Sequence, residues 1–415
     1  MASAPLREPI VYELDGRDRV VLGREEPGDT KARDGITVPD RWMSAAHAEL
    51  IRTAEGWRLS DLGSSNGTLT WGRRASTVLL SDGDLFETGT TFWLFRTYNG
   101  SERPRSPAPE VGGPTALSTS MLAVRDKLSR LAPLDVPIVF RGATGTGKEV
   151  LARAVHDASG RAGPFVALNG ASIPAHLVSH ELFGVLERAD GSERARRGRL
   201  RGAHGGTVLL DRLQDLSPEV QLALLRVVQH GEVTPVGSDV PERVNIRFVA
   251  TTCPEIESLV ESGRFRAELW SRLKGRVLDV PPLEARREDL GALMAQLLRR
   301  FGLDELSFSA PAYRALLTYD WPHNVRELEL GLQSAAALAA SSRIEVADLP
   351  SDIQNAEPPR MLEKGSEESR ERELLRLLDA HKGNVSAVAR SMGYSRMQVH
   401  RWMKQMGVDP NDYRA

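Results

Sequence analysis

The first hundred residues alternate short apolar runs with clusters of turn-forming residues. RVVLG, ITV, AELIR, GWRLSDL and FWLFR are separated by clusters such as EEPGD, GSSNG and SDGD, and VYEL at residues 11–14 is a further run of β type. Short strand patterns punctuated by Gly, Asn, Asp and Pro are typical of a β-sandwich. We therefore predict that this segment is all-β and that VYEL is one of its strands.

The middle of the chain mixes buried-strand patterns with long helical ones. PIVF (137–140) and TVLLD (207–211) are short apolar runs, whereas residues 149–159 and 219–232 have helical periodicity. This alternation predicts an α/β layer followed by helices. The last segment has helical periodicity only, so the whole chain is predicted to be a multidomain protein with all-β, α/β and all-α parts.

Two polar stretches divide the chain. Residues 99–114 and 351–369 are rich in Pro, Gly, Ser and charged residues and have little to bury, so we predict that both are linkers. The predicted domains are a β-sandwich at 1–98, an α/β nucleotide-binding domain at 115–280, a helical lid at 281–350 and a helix-turn-helix domain at 370–415.

Composition narrows the class of protein. The chain has 415 residues, 41% hydrophobic and 27% charged, with a net charge of −2, so any nucleic-acid surface must be local. The single cysteine, Cys253, excludes a disulfide framework and fits a reducing compartment. The sequence contains no apolar run of membrane-spanning length and no signal-peptide core, so we expect a cytoplasmic protein without a membrane partner.

The stretch GATGTGKE (142–149) lies between a predicted strand and a predicted helix. Its glycines let backbone N–H groups surround an anion, and Lys148 would reach the terminal phosphates. The acid that ends TVLLD, Asp211, is expected to hold Mg²⁺ through water. The predicted cofactors are therefore ATP or ADP with Mg²⁺. The candidate contacts in the loop are Gly142, Thr144, Gly145, Thr146, Gly147, Lys148 and Glu149.

From about residue 118 to 340 the chain resembles the AAA+ domain of bacterial enhancer-binding proteins, the activators that remodel sigma-54 RNA polymerase. The blocks that carry the resemblance are GATGTGKEVLARAVH, PFVALNG, ELFG, GGTVLLD, QLALLRVVQHGEVTPVG, GRFRAELWSRL, VPPLEARREDL and WPHNVREL. This family has GKE in its phosphate loop, which accounts for Glu149 where generic loops carry Ser or Thr.

The resemblance implies roles for four further residues. Asn169 corresponds to the residue that senses the nucleotide state, and Arg326 to the lid arginine that contacts the nucleotide. Arg266 and Arg272 correspond to arginine fingers presented to a neighbouring subunit. A finger supplies charge to the transferring phosphoryl group, so self-association is implied, from a dimer to a hexameric ring.

Two residues depart from the family at the catalytic positions. Arg212 replaces the catalytic Glu beside the Mg²⁺ acid, and Cys253 replaces the Asn that positions water and the γ-phosphate. Loss of a general base typically costs about 10²–10⁴ in rate. We therefore expect nucleotide binding with weak or absent hydrolysis, unless Asp215 or Glu181 serves as a substitute base.

A third departure lies after ELFG. There the family has a loop reading GAFTGA, which grips sigma-54, whereas residues 185–204 of this chain read VLERADGSERARRGRLRGAH. Such a basic run is either a solvated loop or an electrostatic contact to DNA or an acidic partner, and both interpretations stay open. The resemblance no longer supports contact with sigma factor or RNA polymerase.

Residues 1–98 resemble the forkhead-associated (FHA) domain through GR at 23–24, SAAH at 44–47 and SNGT at 65–68. The resemblance implies that Arg24, Ser44, Ser65 and Asn66 bind a phosphothreonine peptide and that His47 orients the loop. The position after Ser44, often basic or polar in the family, is alanine. Arginine and hydroxyl donors suit a phosphate group. The implied partner is a phosphothreonine protein of a Ser/Thr-kinase pathway.

The C-terminal segment predicts three helices, at 371–381, 386–391 and 396–405, with a Gly-containing turn between the last two. It resembles the Fis-type helix-turn-helix module through GNVSAVARSMGYSRMQVHRWMK. Residues 381–408 contain no acid, which is the local charge expected for phosphate contacts with double-stranded DNA at a two-fold site. The alternative is a dimerisation element. The candidate DNA contacts are Ser395, Arg396, Gln398, His400, Arg401 and Lys404, whereas Val399 and Trp402 are expected to pack inward.

Three functions follow from these features. The first is a DNA-binding, oligomeric transcription regulator that senses phosphothreonine and binds ATP with little turnover. The second is an active sigma-54-dependent activator ATPase with an atypical loop and a substitute base. The third is an adaptor that links phosphoproteins to enhancer-bound activators. The departures at Arg212, Cys253 and residues 185–204 favour the first.

Overall fold

The computed structural model describes residues 9–25, 35–98, 116–169, 173–186, 196–356 and, with gaps at 376, 380, 382, 393–395 and 407, residues 374–409, together with 413. Contacts divide the chain into two compact units, 1–356 and 357–415. The predicted linker at 99–114 lies outside the described residues. Among the helices of the described residues, not one is long and apolar enough to cross a membrane.

The N-terminal part of the first unit is a β-sandwich, as predicted. One sheet has the strand order β2-β1-β3-β4-β7 and the other β6-β5-β8-β9; β1 and β2 are parallel and the remaining neighbours antiparallel. Alternating side chains from both sheets, among them Leu22, Leu50 and Phe86, form its core. Its strands are β1 (Arg19–Arg24), β2 (Gly35–Val38), β3 (Ala48–Thr53), β4 (Gly56–Asp61), β5 (Thr68–Thr70), β6 (Arg73–Arg74), β7 (Thr77–Leu79), β8 (Leu85–Thr88) and β9 (Thr91–Leu94).

The prediction of a strand at VYEL was wrong. Residues 11–14 have no strand partner and run in an irregular conformation. They line a cavity of about 570 Å³ that also reaches the lid residues Glu288 and Tyr313. The run lines this cavity instead of pairing in a sheet: the ring of Tyr12 packs against that of Trp93, with ring centroids 6.2 Å apart, while Val11 stays 53% exposed.

The α/β part contains a five-stranded parallel sheet of order β11-β14-β17-β10-β18. The middle positions of its strands are mainly apolar because helices cover both faces, and two separate core clusters lie on the two sides. The elements are α1 (Thr119–Leu131), β10 (Ile138–Arg141), α2 (Lys148–Asp157), β11 (Phe165–Asn169), α3 (Val178–Phe183), β12 (Gly184–Val185), β13 (Arg196–Arg197), α4 (Arg199–Gly202), β14 (Thr207–Asp211), α5 (Pro218–His230), β15 (Glu232–Val233), β16 (Glu242–Arg243), β17 (Arg247–Thr252), α6 (Ile256–Glu261), α7 (Ala267–Leu273) and β18 (Arg276–Asp279), with 3₁₀ turns at Ala175–Leu177 and Leu213–Asp215.

A helical lid follows, with its own core around Trp321 and Leu328. The structure extends it into the stretch predicted as the second linker: a helix begins at Ser351, and Ile353 is buried in the lid core, so the polar composition of 351–369 misplaced this boundary. The elements are the 3₁₀ turn Leu283–Asp289, α8 (Leu290–Arg300), β19 (Ser307–Phe308), α9 (Ala310–Thr318), α10 (Asn324–Leu338), β20 (Arg343–Ile344), the 3₁₀ turn Val346–Asp348 and α11 (Ser351–Gln354).

The second unit is helical. Its described helices are Val385–Met392 and Arg396–Met406, each within a residue of the predicted bounds, and residues 374–379 are also helical apart from the undescribed position 376. Leu374, Leu378 and Val388 share a small core with Val399 and Trp402. The last two therefore pack inward, as predicted.

Candidate functional site

The glycine loop lies between β10 and α2, at the carboxyl edge of the parallel sheet. Gly147 has φ +96° and precedes α2, whose first N–H groups receive no side-chain cap. Unsatisfied N–H groups at a helix start are the donors that bind phosphate. Lys148 donates from Nζ to the carbonyl oxygens of Gly142 (2.7 Å) and Ala143 (2.8 Å), and Thr146 Oγ1 donates to the Ala143 carbonyl. The loop is thus held in a closed, anion-binding shape.

The lid contacts this loop directly. Val325 N donates to the Gly145 carbonyl (2.9 Å), and Asn324 Nδ2 donates to the Thr144 carbonyl (2.9 Å). Gly145 has φ +81°, and a Cβ there would lie 2.1 Å from the His323 carbonyl oxygen, so glycine is needed for this approach. Arg326 lies beside Gly145. The structure therefore brings the predicted lid arginine to the predicted phosphate loop.

Sequence reasoning missed a buried ion pair behind the loop. Arg286 is 1% exposed and donates from Nη2 to the Thr146 carbonyl (2.8 Å), with its Nη1 4.0 Å from Asp289 Oδ2. Asp289 accepts hydrogen bonds from the Leu117 and Ser118 backbones and from Ser118 Oγ. In the sequence these two residues stand in the charged run EARRED, where nothing distinguishes buried from solvated charges.

The acid predicted to hold Mg²⁺ ends β14. Asp211 lies opposite Asn169 in the register of β11 and β14, so both reach the same sheet edge. Thr251 Oγ1 donates to Asp211 Oδ1 (2.6 Å) and accepts from the backbone N of Arg212 (2.8 Å). Arg212 has left-handed backbone angles, and its Nε is 2.6 Å from Asp215 Oδ2. A cation therefore directly follows the acid at the end of β14.

The groups around Lys148 shift its pKa in both directions. Burial lowers the pKa of Lys148; the charges of Asp211 and Cys253 oppose that effect, and the cation of Arg212 adds to it. Cys253 is half-buried just after β17, and burial raises the pKa of its thiol. Its backbone N donates to Gln214 Oε1 (3.3 Å).

The residues present fit a nucleotide with Mg²⁺. The partly desolvated Lys148, the uncapped N-terminus of α2 and Arg326 supply positive groups, and Asp211 supplies one carboxylate. The described residues contain no cluster of three His, Cys, Asp or Glu that would hold a metal ion by itself. This agrees with Mg²⁺ chemistry, in which one or two carboxylates act together with substrate phosphates. Bound Mg²⁺ would neutralise charge on those phosphates.

Both candidate substitute bases are paired with arginines. Asp215 contacts Arg212, and Glu181 lies 2.9 Å from Arg196 Nη2 and 3.5 Å from Arg199 Nε. The two arginines at 196 and 199 belong to the basic segment 185–204, of which residues 187–195 lie outside the described part of the chain.

The predicted fingers lie together on one helix. Arg266 is the N-cap residue of α7, and Arg272 lies in its last turn. Both are exposed, and the Arg266 backbone N donates to Gln221 Oε1 (2.9 Å). Gln221 is itself buried and also donates to the Leu216 carbonyl. The start of α7 is therefore fixed, while the two guanidinium groups stay available to another molecule.

The sandwich loops bring the predicted phosphopeptide residues together. Ser44 Oγ accepts from Ser65 N (3.2 Å), and Asn66 Nδ2 donates to the Trp42 carbonyl (2.7 Å). The backbone N of Arg24 donates to the Ser44 carbonyl (2.9 Å). His47 is fully buried and bridges Ser44 N and the Gly67 carbonyl through its two ring nitrogens, which is the orienting position expected for it.

A carboxylate that the sequence did not single out holds one of these loops. Partial burial acts to raise the pKa of Asp61, but hydrogen bonds from Ser64, Thr68 and the Gly63 backbone outweigh it and lower the pKa to about 2. Asp61 thereby fixes the loop that carries Ser65. The SDLGSSNGT run reads as a generic polar turn, so only the hydrogen bonds reveal this role.

The predicted DNA contacts lie on the helix Arg396–Met406. Arg396, His400 and Arg401 are exposed and Gln398 is half-buried. Ser395 lies outside the described residues, and so does the side chain of Lys404. Met397, 80% exposed, lies on the same helix. The helix thus presents three basic or titratable side chains to solvent opposite its buried Val399 and Trp402.

Comparisons with known proteins agree with this architecture. A family model for the FHA domain matches residues 20–89, one for the sigma-54 interaction domain matches 115–279, and one for the AAA+ ATPase lid domain matches 284–365. These matches define a protein with an FHA domain followed by a sigma-54-type AAA+ domain and its lid.

Two individual relatives show which family the chain belongs to. The transcriptional regulatory protein ZraR of Salmonella typhimurium is 35% identical over 308 residues, which are 72% of this chain and 69% of ZraR. The acetoin catabolism regulatory protein of Cupriavidus necator is 38% identical over 328 residues, 74% of this chain and 48% of that protein. The chain belongs to the family of sigma-54-dependent transcriptional regulators. It spans about half the length of the acetoin regulator.

The solved structure of one relative gives evidence on the ligand of the AAA+ domain. The crystal structure of NtrX from Brucella abortus in complex with ATP has a TM-score of 0.53 at 30% sequence identity, covering 72% of this chain and 70% of that one, and NtrX was also crystallised with ADP. A family member of the same fold therefore binds adenine nucleotides, which supports nucleotide binding here.

Proposed function

We propose that this chain is a DNA-binding transcription regulator that holds ATP with Mg²⁺ and hydrolyses it slowly or not at all. The observation that carries the proposal is Arg212, a cation directly after Asp211 in an otherwise assembled nucleotide site. The phosphate loop, Lys148 and Arg326 supply binding, and binding and hydrolysis depend on different residues.

Hydrolysis needs a group that takes a proton from the attacking water. A guanidinium cannot do so because it stays protonated at all physiological pH values. The nearby carboxylates Asp215 and Glu181 are each already engaged in an ion pair with arginine. Cys253 offers a weak donor and acceptor where the family has an amide. These features favour retention of bound ATP over turnover.

Held nucleotide would act as a regulatory ligand. A ligand that binds only the assembled form stabilises that form by mass action. Arg266 and Arg272, exposed on α7, are the residues we propose to reach the nucleotide of a neighbouring subunit. The oligomer would then assemble when ATP is bound and persist because ATP is not consumed.

The two flanking domains would supply input and output. We propose that the FHA loops at Arg24, Ser44, Ser65 and Asn66 bind a phosphothreonine protein. We propose that the helix Arg396–Met406 binds double-stranded DNA, as one half of a two-fold site, through its exposed basic face. With GAFTGA absent from residues 185–204, regulation would proceed without remodelling of sigma-54 polymerase.

The test compares ATP binding and steady-state hydrolysis in the full chain, with and without double-stranded DNA. The variants are Arg212→Glu, Arg212→Glu with Cys253→Asn, and Lys148→Ala. Arg226→Glu, on the exposed side of α5, is the matched control because it makes the same charge change. We expect wild-type binding without turnover, no binding by Lys148→Ala, and a gain of at least about tenfold in turnover on restoring the glutamate.

Two results would contradict the proposal. Robust wild-type turnover that Lys148→Ala abolishes would support the active sigma-54-dependent ATPase and direct the search to a substitute base. Failure of the wild-type chain to bind ATP would remove the nucleotide from the regulatory cycle. Co-purification of another enhancer-binding protein with this chain, in preference to self-association, would support the adaptor function.

A further inference from the structure

The FHA sandwich packs on the lid through an ion pair whose carboxylate is buried. Glu87, on β8, is 1% exposed and accepts two hydrogen bonds from Arg314 of α9, from Nε at 2.6 Å and from Nη2 at 2.7 Å. Two parallel bonds between a guanidinium and a carboxylate fix both distance and orientation. The two residues are 227 positions apart, so the pair joins two domains.

Apolar contacts surround this pair. The rings of Phe92 and Tyr313 meet edge to face with centroids 4.9 Å apart, and Tyr313 is buried enough to raise its pKa to about 12. Gly72, in the turn between β5 and β6, lies so close to Arg314 that a Cβ would be 2.8 Å from its Cδ. The Glu87 carboxylate is the desolvated partner, whereas the Arg314 side chain is 25% exposed, and loss of Arg314 would leave a buried charge unpaired, which is costly.

A second ion pair connects the sandwich to the turn behind the phosphate loop. Arg96, just after β9, donates from Nη1 to Glu288 Oε2 (2.5 Å). Glu288 belongs to the 3₁₀ turn Leu283–Asp289, and two residues earlier Arg286 donates to the Thr146 carbonyl in the phosphate loop. The same short turn therefore contacts the sandwich on one side and the nucleotide loop on the other.

On the sandwich side the interface is continuous with the phosphopeptide loop. Glu87 lies opposite Leu69 in the register of β8 and β5, and β5 begins directly after Asn66 and Gly67. The three residues of β5 thus separate the proposed phosphothreonine loop from this ion pair. A displacement of that loop would therefore be transmitted to α9 through β5, β8 and the Glu87–Arg314 contact.

We propose that the FHA domain is docked on the lid as a fixed part of the nucleotide-binding module, and that this docking, centred on Glu87 and Arg314, maintains the affinity for ATP. The inference rests on the proposed ATP binding but goes beyond it, because it assigns the FHA domain an internal partner. Release of the docked sandwich loosens the turn Leu283–Asp289 and withdraws Arg286 from the phosphate loop.

The test measures ATP affinity of the full chain with Glu87→Gln, Arg314→Gln and the exchanged pair Glu87→Arg with Arg314→Glu. We expect each single variant to weaken ATP binding by about fivefold or more, the lower range of typical couplings between sites, and the exchange to recover part of the loss. The control is Arg19→Gln, which breaks the ion pair with Glu49 on the same sandwich, where the Arg19 side chain is 62% exposed, and leaves affinity unchanged.

Amide hydrogen exchange on the same samples reports docking directly. We expect Glu87→Gln to raise exchange in α9 and in Leu283–Asp289 while the strands of the sandwich keep their protection. If the sandwich unfolds in this variant, Arg314→Lys takes its place, because it keeps the charge and loses the two-bond geometry. Wild-type ATP affinity in a variant with exposed α9 overturns the coupling alone. Absence of ATP binding by the wild-type chain overturns the proposed function and the coupling together.

Discussion

Asp289→Asn removes one negative charge from a position closed to solvent while keeping the shape of the side chain. Asp289 is fully buried and accepts hydrogen bonds from Leu117 N (2.5 Å), Ser118 N (2.8 Å) and Ser118 Oγ (2.7 Å). Its partner, Arg286, is also buried and touches the phosphate loop. The substitution therefore measures how much the Asp289 charge contributes to the contacts that connect the start of α1, the lid and the nucleotide loop.

The expected loss of stability depends on which hydrogen bonds and charges remain in Asp289→Asn. An asparagine oxygen still accepts from the two backbone N–H groups, and Ser118 Oγ can accept from the new amide. Arg286 then keeps only Glu288, itself paired with Arg96, as a nearby acid, and breaking a buried ion pair costs about 3–5 kcal/mol. The Arg286–Asp289 separation of 4.0 Å is at the outer limit of an ion pair, so we expect the low end, about 3 kcal/mol.

Thermal unfolding of the full chain measures this loss, with ATP added to identify the transition of the nucleotide module. At about 2–4 °C per kcal/mol for a domain of this size, that transition is expected to fall by roughly 6–12 °C. Asp126→Asn is the control, because its pair with Arg130 is exposed and worth less than about 1 kcal/mol. Equal shifts in the two variants would refute the assignment of Asp289 as a buried counter-ion.

Two further predictions concern the flanking domains. Because the folded-state pKa of Asp61 is lowered from 3.8 to about 2, its carboxylate stabilises the FHA loop fully above about pH 4 and loses this effect as pH falls toward 2. Asp61→Asn should cost about 1–2 kcal/mol at pH 7 after allowance for solvent screening, and this cost should vanish near pH 2 in urea titrations; a pH-independent cost would contradict it. Arg401→Ala should weaken DNA binding alike on all sequences and lower the salt-dependence slope by about one; loss confined to one sequence would instead indicate a base contact.

Contiguous motifs were the features that the sequence could predict. The strand, loop and helix around residues 137–157, the strand ending at Asp211 and the inward packing of Val399 and Trp402 depend on local periodicity and spacing. The grouping of Ser44, Ser65 and Asn66 came from the family resemblance, and the structure brings their loops together.

Partners distant in the chain could not be predicted. Whether a charge is buried depends on what packs over it, and Glu87, Arg286 and Arg314 have the same local appearance as solvated surface charges. The prediction of a strand at residues 11–14 failed for a related reason. These residues line a cavity instead of pairing in a sheet, and periodicity cannot separate these two uses of apolar residues.

The setting of Arg212 supports the proposed separation of nucleotide binding from hydrolysis. Its backbone N–H is held by Thr251, which also holds Asp211, so the strand end keeps its geometry whatever side chain follows the acid. The side chain itself is 53% exposed and contacts Asp215, so it fills no part of the core. A change at this position therefore alters the charge beside Asp211 and Asp215 without repacking the core, so Arg212→Glu exchanges an ion pair for like charges at the strand end and leaves the packing of the fold in place.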